Sequence, residues 1–208
     1  MIIGSPEILN CPFCKTVYQM QSLVSGNTIG GTCFSDGQHY YPMLPDQPQF
    51  TVCDSCQNFF WVKDAKSNEN MMEKQGEVYL PDIRWLEQEE WIQAISLGLY
   101  RNESEEIYLR THLWWMLNNK YRVMDRIKPN SEPFEKHLYT ENLHALLRLK
   151  QSEEAPDLLL LAEIHRELGY FDEALDLLKK VTDAELKNIA RQIRVKARRK
   201  NPFVFKLT

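Results

Sequence analysis

Two Cys-x-x-Cys pairs constrain this chain more than any other feature: Cys11 and Cys14 in "NCPFCK", and Cys53 and Cys56 in "VCDSCQ". The pairs lie 38 residues apart with a fifth cysteine, Cys33, between them, and none of the 152 residues after Cys56 in this 208-residue chain is a cysteine. A tight Cys-x-x-Cys turn points two thiolates at one place, so two such turns can supply the four soft donors of a tetrahedral metal. A redox Cys-x-x-Cys normally opens a helix, whereas strand-forming residues follow both pairs here, in "TVYQM" and "NFFWV". Buried thiols acting as small hydrophobes are the plainer alternative, and the duplicated spacing argues against it.

The spacing therefore predicts a Zn2+ site formed by Cys11, Cys14, Cys53 and Cys56. With every coordination position filled by protein, no place is left for water or substrate, and the metal is expected to be structural. Lys15 and Gln57 stand just after the second cysteine of each pair. Many knuckles use glycine there because positive φ is needed. Cys33 and His39 flank Asp36-Gly37 and are candidates for a second metal site. The plainer expectation is that Cys33 packs inside a hairpin and His39 is exposed.

The reading of two constructions in one chain follows from the rest of the sequence. Residues 1–66 are strand-and-turn material, with "TCFSDGQHYY" expected to form a hairpin around a two-residue Asp36-Gly37 turn. "PMLPDQPQF" is expected to be an extended, proline-fixed connection and "FFWVKDA" a closing strand. The polar residues 67–82 read as a linker. From residue 83 to 208, apolar residues recur at helical spacing in six segments that begin near Ile83, Ser104, Ser131, Glu154, Phe171 and Asp183. Pro156 suits a first turn and Gly169 a C-terminal cap, while Thr182 and Glu185 suggest a capping box on the last helix. The fold class is α+β: a small β domain resembling a zinc ribbon, then an all-α antiparallel helical domain.

Charge separates the parts further. Residues 1–82 carry nine acids against four lysines, whereas residues 183–208 carry two acids against eight bases. In the last helix, Lys187, Arg191, Arg194 and Arg198 form a basic stripe beside an apolar one of Leu186, Ile189, Ala190, Ile193 and Ala197. A solvated face on a capping helix explains the basic stripe, and bases near a helix C-terminus suit its dipole. Nucleic-acid contact through Arg191, Arg194 and Arg198 is the alternative, and the absence of arginine in residues 1–82 counts against it. Trp114 and Trp115 are neighbours, so they point about 100° apart on a helix. One is expected in the core and the other is a candidate for a partner-binding groove.

The segment "LLLLAEIHRELGYFDEALDLLKKV" resembles a tetratricopeptide repeat. Ala162 and Ala174 match the small residues of the paired helices, Gly169 the turn and Phe171 the aromatic that follows it. Leu158, Leu161 and Leu178 match the large apolar positions, while Val181 and Leu186 depart from the pattern. "CPFC", "SGNTIGGTCFSDGQ", "PMLPDQP" and "CDSCQNFFWV" together with this repeat resemble a group of uncharacterised bacterial proteins. Those proteins join two Cys-x-x-Cys knuckles to a tetratricopeptide-like region. The resemblance implies zinc and helical-repeat architecture, and it brings no known activity.

No P-loop, dinucleotide fingerprint, H-E-x-x-H or G-x-S-x-G occurs. The chain is thus expected to be a non-enzymatic adaptor for a protein or peptide. The alternatives are nucleic-acid binding through the last helix, and an enzyme using the 35–42 loop with Asp36, His39 and Tyr40 or Tyr41. A cytoplasmic location is expected, because the N-terminus lacks a secretory pattern and no apolar run approaches the roughly 18 residues of a membrane helix.

Overall fold

The computed structural model describes residues 1–67, 80–122, 136–150 and 154–208. Among these residues the fold is α+β, with nine short strands followed by six helices. The chain forms two units, one of residues 1–31 and 40–90, the other of residues 32–39 and 91–208.

In the first unit, β2 (Glu7–Asn10) pairs antiparallel with β3 (Val17–Met20), in the register Ile8 opposite Gln19 and Leu9 opposite Tyr18. Alternation puts Leu9 and Tyr18 inside, and the loop between the strands holds Cys11 and Cys14. A second hairpin repeats the device: β7 (Phe50–Val52) pairs with β8 (Phe59–Trp61), and its loop holds Cys53 and Cys56. β9 (Lys66–Ser67) joins the free edge of β2, and β1 (Ile2–Ile3) pairs with β4 (Leu23–Ser25). The closing strand is shorter than expected, because the chain turns into a single 3-10 turn over Val62–Asp64. The linker reading of residues 67–82 falls mostly outside the described residues.

Residues 83–87, expected to begin the first helix, are not helical. Ile83 donates its N–H to the Gln19 carbonyl at 2.9 Å, and Gln19 donates to Pro81, so β3 captures this backbone before a helix can form. The helix α1 starts at Gln88 and runs to Ser96. Ile83 and Leu86 still bury their side chains, which is why the apolar spacing looked helical.

The second unit is built on α2 (Glu103–Arg122), α3 (Lys136–Leu149), α4 (Ala155–Glu167), α5 (Phe171–Lys180) and α6 (Lys187–Arg198). Asn102 caps α2, its Oδ1 accepting the Glu105 N–H at 3.0 Å. Pro156 lies in the first turn of α4. At the other end of α4, Gly169 adopts φ +86, Gly169 N–H meets the Arg166 carbonyl and Tyr170 N–H meets that of His165. This left-handed cap turns the chain into α5. Ala162 packs with Leu158, Leu159, Leu178, Val181, Ala190 and Ile193 in one core, and Ala174 is fully buried as well. The expected capping box of Thr182 and Glu185 does not form: residues 184–186 make a turn, the Asp183 carboxylate accepts the Glu185 N–H, and α6 begins at Lys187.

The hairpin of β5 (Thr32–Cys33) and β6 (His39–Tyr40) exists, with a different turn from the expected one. Phe34 N–H bonds to the Gln38 carbonyl and Gly37 N–H to that of Phe34, which encloses three residues, and only Gly37 has positive φ, +83. A three-residue loop ending in a left-handed glycine spares Asp36 a strained backbone. The C-terminal tail pairs with this hairpin, Ser35 N–H meeting the Phe205 carbonyl and Leu207 N–H that of Cys33.

A polar network fills the middle of the second unit. The fully buried Asp36 carboxylate receives the Arg122 guanidinium through both its oxygens, and Asn118 Nδ2 at 2.9 Å. Asn118 also reaches the Glu167 carboxyl at 3.3 Å and accepts the Tyr139 hydroxyl at 3.0 Å. Glu167 further receives Trp114 Nε1 at 2.6 Å and makes a short hydrogen bond with the Tyr139 hydroxyl oxygen. Next to it, Arg166 is paired with Glu163 and bonds the Asn201 carbonyl.

Candidate metal centre

Each pair of thiols is shaped by a hairpin loop of the same construction. Cys11 N–H bonds to the Thr16 carbonyl at 2.9 Å and Lys15 N–H to the Cys11 carbonyl at 3.1 Å. Cys53 N–H bonds to the Asn58 carbonyl at 3.0 Å and Gln57 N–H to the Cys53 carbonyl at 2.8 Å. Lys15 (φ 65) and Gln57 (φ 58) take the left-handed conformation that the missing glycines would have supplied. Their side chains fold back alike, Lys15 Nζ onto the Pro12 carbonyl and Gln57 Nε2 onto that of Asp54, at 2.7 and 2.8 Å. Even the residue two places after the second cysteine acts in parallel: Thr16 lies 3.1 Å from Cys14 Sγ, and Asn58 Nδ2 donates to Cys56 Sγ at 3.3 Å.

The two loops face each other. Cys11 Sγ is 3.9 Å from Cys56 Sγ, Cys14 Sγ is 3.5 Å from Cys53 Sγ, and all four sulfurs lie within 4.8 Å of one another. Four sulfurs at about 2.3 Å from a central tetrahedral ion would be about 3.8 Å apart. A disulfide, at about 2.05 Å, is far shorter than any of these separations, and all five cysteines are free thiols. The donor set and its spacing thus fit a tetrahedral thiolate-bound metal.

Tyr18 supports the site from behind. Its hydroxyl donates to Cys53 Sγ at 3.3 Å and accepts the Asp54 N–H at 2.9 Å. Burial raises the Cys53 thiol, but Tyr18, the backbone N–H groups of Cys56 and Ser55, and Cys14 outweigh it and lower the thiol to about 6. Burial takes Cys11 the other way, up to about 11. The exposed Cys14 is lowered by the Thr16 hydroxyl. Four sulfurs this close cannot all be anionic unless a cation lies among them. The small core of the unit consists of Leu9, Tyr18, Phe60, Ile83, Cys11 and Cys53, so two of its six members are thiols of the site.

Tyr18, Thr16 and Asn58 were missed in the sequence. The signal for Tyr18 was its place in the strand-forming "TVYQM" that follows the first pair, four residues beyond Cys14.

The other candidates are placed as follows. Cys33 and His39 are half-buried in the β5–β6 hairpin, and among the described residues the four-cysteine group is the one whose ligand atoms converge. Asp36 is consumed by the Arg122 pair, and Tyr40 is exposed. Trp114 is core, and Trp115 is half-buried with its Nε1 donating to the Asp36 carbonyl at 3.0 Å. Arg191 and Arg198 are exposed, while Arg194 donates to the Leu178 carbonyl at 2.9 Å and so caps the end of α5. No described helix is long and apolar enough to cross a membrane.

No protein-family model, curated protein or solved structure matches this chain.

Proposed function

We propose that this protein is a non-enzymatic adaptor, with a structural Zn2+ holding the first unit and a tetratricopeptide-like surface on the helices for a protein or peptide partner. The observation that carries the reading is the closed cage of four thiols presented by two matching hairpin loops. Zinc is favoured over harder divalent ions because all four donors are sulfur. A unit whose core already counts two of these thiols gains folding energy directly from the ion. The repeat reading is supported by the α4–α5 pair, in which Ala162 and Ala174 are both fully buried and the glycine cap makes the turn. The stripe of Arg191 and Arg198 is a solvated edge of α6 in this reading.

Elemental analysis of chain purified in its native metal state tests the metal. One zinc per chain is expected, and its loss in Cys53→Ser should accompany loss of the near-ultraviolet signal of Phe50 and Trp61, which pack at 4.8 Å in the same unit. Iron in place of zinc, or no metal, would overturn it. Affinity capture from host lysate with and without nuclease tests the adaptor. A discrete protein that survives nuclease supports it, and nucleic acid recovered in its place sinks it.

A further inference from the structure

The helical unit contains a cavity of about 320 Å³ that the metal centre and the adaptor reading leave unused. Its floor is polar and built, formed by Asn118, Tyr139 and Glu167, which are all buried and bonded to one another. Phe171 and Phe203 are among its apolar walls, and the ammonium-bearing Lys136 and Lys200 line it from exposed positions. The volume lies at the lower end of the roughly 300–1,000 Å³ of small-molecule sites. Apolar walls with a few convergent polar groups are the usual composition of such sites.

The sign of the ligand's charge follows from the network beneath the floor. Asp36, Glu163 and Glu167 are three buried carboxyls facing two buried guanidiniums, Arg122 and Arg166. One proton among the carboxyls restores balance. Burial first, then Glu163 and Asp36, place it on Glu167, which is pushed up to about 8. The floor is therefore neutral near pH 7 and offers hydrogen bonds without repelling an anion, while the two lysines make the remainder of the lining positive.

Lys200 adds an independent sign of purpose. It is the left-handed residue (φ 51) that ends α6, with Lys200 N–H on the Ala197 carbonyl and Asn201 N–H on that of Lys196. Glycine is the ordinary occupant of that place. A lysine there carries backbone strain, and it is one of the residues that line the cavity.

We propose that this cavity is a binding site for a small organic anion with a flat apolar body, its anionic group held by Lys200 and Lys136 and its body lodged between Phe171 and Phe203 over the Asn118–Tyr139–Glu167 floor. None of the four thiols of the metal centre lines this cavity.

The test uses the full chain and two fluorescent probes of one shape, the aromatic sulfonate 8-anilinonaphthalene-1-sulfonate and its uncharged analogue N-phenyl-1-naphthylamine. Saturable binding of one sulfonate per chain is expected. Lys200→Glu and Lys136→Glu, both at exposed positions, should each weaken the sulfonate about tenfold and the neutral analogue less than about twofold. Thr140→Trp, which fills the cavity, should abolish binding of both, with circular dichroism checking the fold; if that variant does not fold, the two lysine variants decide alone. Absence of saturable one-site binding overturns the proposal. So does binding that these lysine variants leave unchanged, and so does binding lost in Lys63→Glu, which belongs to a different cavity, in the first unit.

Discussion

The buried proton on Glu167 makes stability depend on pH in an unusual direction. Glu167 is 6 % exposed and is pushed up from 4.5 to about 8, by burial first and then by Glu163 and Asp36. Between those two values the folded chain binds a proton that the unfolded chain has released. Stability therefore falls as pH rises through this window, and the loss is complete once pH exceeds the folded value. From pH 6 to pH 9 this one group removes about 3 kcal/mol. Glu167→Gln carries a neutral side chain of the same shape at every pH and can still accept the Trp114 N–H. The measurement is the urea midpoint of the helical signal at pH 6 and at pH 9 for both chains. Other groups titrate over this range, the Cys53 thiol among them, but they are common to both chains and cancel in the difference of differences. The variant should lose about 3 kcal/mol less than the parent over the interval. Equal losses in the two chains would refute the placement of the proton on Glu167.

Lys15→Gly and Gln57→Gly should each stabilise the first unit by about 0.5–1 kcal/mol, because relief of a left-handed non-glycine residue exceeds the added chain entropy; urea midpoints decide, and destabilisation would show that the side-chain bonds to Pro12 and Asp54 matter more. Tyr18→Phe deletes the hydroxyl shared by Cys53 Sγ and the Asp54 N–H. It should weaken metal affinity about 10–100-fold in a chelator competition. Gly169→Ala places a side chain at φ +86, with open space around it, and should cost about 1–2 kcal/mol from backbone strain alone, measured by thermal unfolding.

The four thiols were legible because the Cys-x-x-Cys spacing is a local device: a six-residue turn points both sulfurs the same way whatever surrounds it. The positive φ at Lys15 and Gln57 followed from the same local reasoning and is observed. Helices α2, α4 and α5 were legible from apolar spacing and from Pro156 and Gly169. What escaped depends on partners distant in sequence. Ile83 looks helical until Gln19 takes its N–H. Asp36 reads as a turn residue, and its role is fixed by Arg122, which comes 86 positions later. Glu163, Arg166 and Glu167 drew no reading from the sequence, yet all three are buried. No pattern in one sequence marks a charged residue as buried when its neutralising partner sits on another element.

The helical unit is discontinuous in sequence, and this has a consequence that can be measured. A fragment of residues 83–208 holds every helix of the unit but lacks Asp36, which the chain supplies from between the two cysteine pairs. Arg122, whose side chain is 8 % exposed, would keep its charge with no carboxylate against it, and it would lose the Phe34 ring 4.4 Å below its guanidinium. Breaking a buried pair by removing one partner costs about 3–5 kcal/mol, a large share of the roughly 5–15 kcal/mol that holds a typical domain. Deleting both partners is far less costly than deleting one. Arg122→Met should therefore act with opposite signs: it should raise the urea midpoint of the fragment and lower that of the full chain, where it strands Asp36. A variant that destabilises both would show that Arg122 holds the helices by its packing, and that the pair with Asp36 is incidental to the unit.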